Sequence, residues 1–310
     1  MLTYNSSKTI YRCLSSIKRL AYPQEYVDVI ILDNGSTDDT LTIAKKMEFH
    51  YYSYPELNIS QLRNKGVEHS RGEIVAFIDS DCLVHPDWLN HVVRWFDDPK
   101  VGIVGNEYLL PKNPSYLEKN WYQKSNYGIK KNDLIPAGNM AVSRKLFIKL
   151  GGFDPVLLTG EDSYLLEKFR NAGCKTISDH KIKCVHLGYP KNLVEYYKKE
   201  IWYGLGMLGS ASLSKFDKPF IFTHLYLLLL VLLPVSVILY LFTPYRIFFV
   251  ASNFFSISLL IVPFFSAVHK IYVKKQRGNL FYVMVIFMIF FIARVRSLLY
   301  IYKLQEFIRR

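Results

Sequence analysis

The chain has 310 residues, 50% of them hydrophobic, which is enough for a large core or for a globular domain followed by a membrane part. Its formal charge of +13 is unevenly placed: residues 220–310 hold 10 Lys+Arg against 1 Asp+Glu, so most of the basic excess flanks apolar segments and does not form a nucleic-acid patch. Four cysteines, Cys13, Cys82, Cys174 and Cys184, include no Cys-x-x-Cys pair; they fit a reducing compartment and read as small buried hydrophobes.

In chain order, Ser6 or Ser7 is expected to cap a helix whose apolar residues Ile10, Leu14 and Ile17 recur at one-turn spacing. "VDVIIL" (27–32) reads as a short apolar strand, and "DNGSTDDT" as a turn with Ser36 or Thr37 capping the next helix. "FHYYSY" reads as a strand, "SQLRNKGVEHS" as a helix and "IVAFI" as a strand, and Pro86 is expected at the first position of the helix "PDWLNHVVRWF". Gly151-Gly152 reads as the end of the helix "RKLFIKL". Glu161-Asp162 reads as a helix N-terminus where acids complement the macrodipole and Thr159 or Asp162 could cap. Alternating strands and helices predict an α/β domain with a mostly parallel sheet, and such sheets bind ligands beyond the carboxyl ends of their strands.

Further along, "EYYKKEIWYGLG" (195–206) predicts an amphipathic helix whose Tyr196, Tyr197, Trp202 and Tyr203 divide between core and membrane-interface belt. Residues 220–242 and 247–268 are uncharged and long enough to cross a ~30 Å hydrocarbon layer, as a hairpin; neither is a leader, and nothing before residue 215 reads as one. A third stretch, about 280–301, has only 14 uncharged residues before Arg294 and Arg296, and an interfacial helix is favoured over a span. A span would also carry Lys303, Arg309 and Arg310 to the far side. Lys270, Lys274, Lys275 and Arg277 follow the second span, whereas the turn "TPYR" carries only Arg246; the positive-inside bias places residues 1–219 in the cytoplasm of a multi-pass cell-membrane protein. The expected division is a domain over 1–215 and a membrane region over 216–310.

The stretch "EIVAFIDSDCLVHPDWL" ends a buried strand in two carboxylates one residue apart, Asp79 and Asp81. That spacing lets both reach a single hard divalent cation such as Mg²⁺ or Mn²⁺, which takes few carboxylates and completes its shell with phosphates. For an isolated Asp-x-Asp, an Asx turn with Asp79 capping the loop is the commoner explanation, so the spacing alone does not decide.

Five blocks in order decide between these readings: "TYN" (3–5), "DNGSTDDT" (33–40), "RNKGVEHSRGEIVAFIDSD" (63–81), "GNMAVSRKLFIKLGGFD" (138–154) and "GEDSYLLEKFRNAG" (160–173). With them the first 210 or so residues resemble a GT-A fold glycosyltransferase of the inverting family 2. The resemblance implies a nucleotide-sugar donor met through a divalent metal. Thr3, Tyr4, Asn5, Asp33 and Arg63 would contact the nucleobase, Asp79 the ribose or metal, and Asp81 the metal. Asp162 would be the catalytic base, with Glu161 orienting the acceptor or the loop. His186, at a strand end in "KIKCVHLGY", would stand near the metal or diphosphate, and imidazole suits Mn²⁺ better than Mg²⁺; a plain hydrogen-bonded histidine is the alternative. Asn139 would shape the donor-sugar pocket or simply form a turn.

Such transfer needs the leaving diphosphate neutralised, which a bound cation does, and a base on the opposite face of the sugar, so that in-line attack inverts the anomeric centre. Relatives begin with an apolar strand before "TYN", where this chain has Met1 and Leu2; either that strand is a stub or the chain starts upstream. "KKEIW" stands where processive synthases carry Gln-x-x-Arg-Trp, so a polymer-extruding enzyme is not expected. The expected function is transfer of one sugar, from a uridine or, second, guanosine nucleotide, to a lipid-linked or membrane-proximal glycan acceptor. Direct transfer to polyprenyl phosphate and a non-catalytic nucleotide-sugar-binding scaffold are the alternatives. Arg294 and Arg296 would either grip an isoprenoid phosphate or snorkel to anionic lipid.

Overall fold

The computed structural model describes residues 1–122, 129–131, 135–157, 159–205, 218–273, 276 and 278–308. Gly206, Lys274, Lys275, Arg277, Arg309, Arg310 and the expected boundary at 215/216 therefore lie outside the described residues. By packing, the chain forms two compact units: Met1–Asn113 with Asn126–Tyr189, and Pro114–Ser125 with Pro190–Arg310.

The first unit alternates strands and helices: β1 (Leu2–Thr3), α1 (Ile10–Lys18), β2 (Ile30–Asp33), α2 (Thr40–Lys46), β3 (His50–Ser53), α3 (Ile59–His69), β4 (Ile74–Ile78), β5 (Cys82–Val84), α4 (Trp88–Val93) and β6 (Val101–Gly105). It continues with β7 (Ile129–Lys131), β8 (Asn139–Ser143), α5 (Arg144–Lys149), α6 (Glu161–Asn171), β9 (Lys175–Asp179) and β10 (Cys184–His186). One sheet runs β1-β2-β3 and another β4-β8-β6-β9-β7, and a parallel bridge between Leu2 and Asp79 joins them. The pairings make β3, β2, β1, β4, β6 and β9 run one way, with β8 and β7 reversed. The mostly parallel sheet read from the sequence is present, and the reversed β8 is what local pattern could not show.

Successive residues of the central strands feed two separate cores. Phe77, Ile103 and Met140 pack on one face of the sheet with Phe147, Phe153 and Phe169, whereas Ile78, Val104 and Ala141 pack on the other with Ile10, Leu14 and Trp88. A strand buried on both faces reads as a continuous apolar run, which is why "IVAFI" and "VGIVG" show no alternation. Gly102 permits this closeness: a Cβ there would stand 2.4 Å from the Phe169 ring of α6.

The expected helix starts shift locally. The Ser6 carbonyl, and not its hydroxyl, accepts from Thr9 and Ile10, so Thr9 is the N-cap of α1. Asp38 replaces Ser36 or Thr37 at the start of α2, accepting from the Thr40 amide at 3.0 Å. Pro86 stands outside α4, in a turn closed by the Trp88 amide on the His85 carbonyl. Gly151, at φ +77°, ends the α5 segment as its sequence implies, while Gly160, also φ +77°, is the N-cap of α6 in place of Thr159 or Asp162. β1, the pair Leu2–Thr3, is set between β2 and the end of β4.

The second unit contains α7 (Leu193–Leu205), α8 (Lys218–Phe242), α9 (Arg246–Val268) and α10 (Leu280–Ile308), with the turn Glu118–Tyr122 packed among them. Ile221–Phe242, Arg246–Val273 and Leu280–Tyr300 are each long and apolar enough to cross a membrane. The third differs in surroundings, since 39% of it is buried in the protein against 17% and 11% for the others. Arg294 lies inside α10, where Glu200 of α7 holds it through contacts of 2.8 and 3.1 Å, with side-chain exposures of 7% for Glu200 and 14% for Arg294. Beside this pair the Ser297 hydroxyl donates to the Ile201 carbonyl, and Gly204 leaves room for it, because a Cβ there would lie 2.3 Å from Ser297 Oγ.

A buried charge that loses its partner costs about 3–5 kcal/mol. Glu200→Ala is therefore expected to lower the thermal unfolding midpoint of the detergent-solubilised chain sharply, and Glu200→Met with Arg294→Met to recover most of the loss. A single substitution as stable as wild type would show that the pair holds nothing.

Candidate active site

Four segments of the first unit converge at the carboxyl ends of β1, β2 and β4. The turn Asp79-Ser80-Asp81 follows β4, and it is pinned from beneath: Ser80 donates its amide to the Leu2 carbonyl at 3.1 Å and shares a 2.7 Å hydrogen bond with the Ser6 hydroxyl. With Ser80 turned inward, its two neighbours stay part-exposed, Asp79 at 31% and Asp81 at 29%. The Asp79 carboxylate accepts from Arg63 Nη2 at 3.3 Å and from the Tyr108 hydroxyl at 3.4 Å.

Strand pairing brings the histidine. β10 runs antiparallel to β5 with His186 opposite Cys82, and the Leu187 amide donates to the Asp81 carbonyl at 2.8 Å. His186 Nε2 then stands 3.4 Å from Asp81 Oδ2, with the ring stacked on Tyr108 at 4.6 Å and tilted against Tyr189 at 4.3 Å. Two glycines leave the space: a Cβ on Gly188 would fall 1.8 Å from Asp81 Oδ2, and one on Gly138 would fall 2.3 Å from both Asp79 Oδ2 and the Tyr108 hydroxyl. Asp81, Cys82 and His186 form a group whose ligand atoms lie within 4.8 Å of one another. Burial pushes the Cys82 thiol well up, and a hard divalent cation prefers the Asp81 oxygen and the His186 nitrogen to sulfur.

On the other side stands the start of α6. Arg63 of α3 is 3% exposed, and its guanidinium meets Glu161 Oε1 at 2.5 Å as well as Asp79, with the Phe153 ring 5.4 Å away. The same helix holds the loop that leads to α6. Asn64 bonds both the amide and the carbonyl of Phe153, at 2.9 and 2.8 Å, Ser60 donates to Leu157 and Asn58 to Pro155. Glu161 is thus committed to Arg63, whereas Asp162 keeps a carboxylate that accepts from its neighbour Ser163 at 2.7 Å. Burial, and then repulsion from Glu161, push the Asp162 carboxyl up to about 6.

The remaining sequence candidates divide. Asn5, at φ +46°, accepts the Thr37 amide at 2.9 Å and donates its own amide to Ser36 Oγ, so "TYN" and "DNGST" form one rim, with Tyr4 60% exposed and Thr3 buried. Asp33 is fully buried beneath that rim, accepting from Gly35 and Ser36 amides and the Ser53 hydroxyl, and so shapes the loop. Asn139 is fully buried too, accepting from Trp88 Nε1 at 2.7 Å and donating to the Asn106 and Ile182 carbonyls, so it ties these core segments together. Arg63, expected at the nucleobase, is a strut between two carboxylates. Tyr108, Gly138 and Gly188 were missed: a lone tyrosine and two glycines carry no signal until the partners opposite them are known.

Residues 1–150 match the model of "Glycosyl transferase family 2". The chain is similar to glycosyltransferase AglE of Haloferax volcanii, 28% identical over 218 residues, which are 66% of this chain and 70% of that one. Among solved structures it resembles the mannosyltransferase PcManGT of Pyrobaculum calidifontis in complex with GDP-Man and Mn²⁺, with a TM-score of 0.59 at 18% identity over 96% of this chain and 85% of that chain. It also resembles GalNAc-T7 with UDP, GalNAc and Mn²⁺, with a TM-score of 0.50 at 15% identity over 66% of this chain and 49% of that chain. Residues 1–150 thus carry the match to glycosyl transferase family 2, on a GT-A fold ahead of C-terminal helices long enough to cross a membrane.

Proposed function

We propose that the chain is an inverting, divalent-metal-dependent transferase that moves one sugar from a nucleotide-sugar to a lipid-linked or membrane-proximal glycan, with Asp162 as general base. The observation that carries this reading is the division of labour at the start of α6. Glu161 is spent on Arg63, while Asp162 has no cation partner at hydrogen-bond distance among the described residues and sits at about 6. A base at that value is mostly ionised at neutral pH yet still basic enough to take a hydroxyl proton. Arg63 ties this base to the Asp79-Ser80-Asp81 turn, so a donor held at the turn and an acceptor held at α6 would meet in fixed register.

The residues present fit a divalent ion. Asp81 and His186 offer an oxygen and a nitrogen 3.4 Å apart, a donor set suited to Mn²⁺, and Gly188 leaves the carboxylate uncovered. When bound there, the cation would neutralise charge on the departing diphosphate. Asp79, already balanced by Arg63 and Tyr108, is placed to receive a ribose hydroxyl. The similar mannosyltransferase and GalNAc-T7 structures hold GDP-Man and UDP, each with Mn²⁺, which supports a nucleoside diphosphate sugar as donor.

The basic residues after the second span support a cytoplasmic catalytic unit in a multi-pass cell-membrane protein. α10 is read as interfacial over much of its length. α7, which carries Glu195, Lys198 and Lys199, accompanies it from Ile286, packed with Tyr196, to Ser297, and a helix so charged does not sit in hydrocarbon.

Asp162→Asn is expected to lower transfer on the order of 10²–10⁴-fold with donor binding retained. Because the base acts ionised, kcat/KM of wild type should fall as pH drops below about 6 and stay flat above it. A profile without that acid limb would remove Asp162 from the role. Gly188→Ala should weaken Mn²⁺ binding, read from the free-ion paramagnetic resonance signal, roughly 10–100-fold; unchanged binding would place the ion elsewhere.

A further inference from the structure

The two arginines of α10 are not equivalent, and the difference marks a binding site in the second unit. Arg294 is neutralised by Glu200. Arg296, two residues on and exposed, donates to the neutral Tyr197 hydroxyl at 3.1 Å and lies over that ring at 5.9 Å, and no carboxylate pairs with it among the described residues. One turn before it, an apolar groove of about 320 Å³ opens between α7 and α10, lined by Leu193, Val194, Tyr197, Ile289 and Ile292. Val194 and Ile292 are 64% and 44% exposed, and Tyr197 belongs both to the groove wall and to the Arg296 contact.

We propose that this groove holds the isoprenoid tail of the acceptor lipid and that Arg296 at its end binds the lipid's phosphate. The proposal rests on the lipid-linked acceptor argued above. An apolar channel ending in one unpaired guanidinium complements an amphiphile with one chain and one anionic head. A guanidinium presents its N–H groups to phosphate in pairs, and the Tyr197 hydroxyl, already holding Nη1, turns the fork and can donate to the same phosphate. Charge complementarity favours this occupant over a neutral lipid.

The test is photolabelling of the detergent-purified full chain with diazirine-tagged farnesyl phosphate, beside tagged farnesol, with labelled peptides mapped by mass spectrometry. Label is expected on the Val194 and Ile292 segments, displaced by unlabelled farnesyl phosphate but not by phosphatidylglycerol vesicles or inorganic phosphate at equal concentration. Arg296→Gln should reduce labelling by the phosphate probe on the order of tenfold, as loss of a charged hydrogen bond implies, and leave farnesol labelling unchanged. Ile292→Trp, which fills the groove, should reduce both. The proposal is overturned by equal labelling of wild type and Arg296→Gln, by equal displacement with phosphatidylglycerol, or by no label on α7 and α10, which would mean that other lipid or the chain itself covers the groove. Nucleotide release from donor, measured on the same samples, separates the two readings. Release without groove labelling sinks the lipid site alone; groove labelling without release from any donor sinks the sugar-transfer reading and keeps the site.

Discussion

The Arg63 guanidinium lies 3% exposed between carboxylates that the chain supplies from two distant segments, Asp79 at the end of β4 and Glu161 at the start of α6. A buried cation is tolerated only when its charge is matched, so the two segments cannot drift apart without leaving it unpaired. The other side chains of α3 add to the same constraint, with Asn58, Ser60 and Asn64 fastening the loop Phe153–Leu157. One helix therefore sets the distance between the turn read as meeting the donor and the residue read as the base. It also decides which of two adjacent acids does which job, since the one that neutralises Arg63 cannot also be a free base.

Much of this was legible in the sequence where chemistry is written locally. Asp79 and Asp81 announce themselves by spacing after an apolar run, Glu161-Asp162 by its place ahead of a helix, and the Gly151 turn by its doublet. What was not legible depends on partners far away in the chain. Arg63 read as a ligand contact because its partners lie 16 and 98 residues on. The burial of Asp33 and Asn139 was not legible either, because a polar side chain in a family motif looks the same in sequence whether it is exposed or buried. Gly138 and Gly188 matter through the atoms a side chain would strike, which no single sequence displays. The antiparallel β8 likewise comes from pairing, not from pattern.

In the second unit, length and apolarity gave the helices. Arg294 and Arg296 look alike in sequence, and both argued for an interfacial helix over a span. Packing against α7 distinguishes them, because among the described residues Arg294 finds a carboxylate and Arg296 does not. An ion pair between helices lets a charge sit inside an otherwise apolar bundle at little net expense, provided neither partner is removed.

The most direct measurement is nucleotide diphosphate release from a panel of uridine and guanosine diphosphate sugars by the detergent-purified full chain, with membrane lipid extract present and with Mn²⁺, Mg²⁺ or EDTA. Metal-dependent transfer predicts release from one donor with Mn²⁺ or Mg²⁺ that EDTA abolishes. Release from no donor in the presence of metal and lipid, or release that EDTA leaves undiminished, would contradict it.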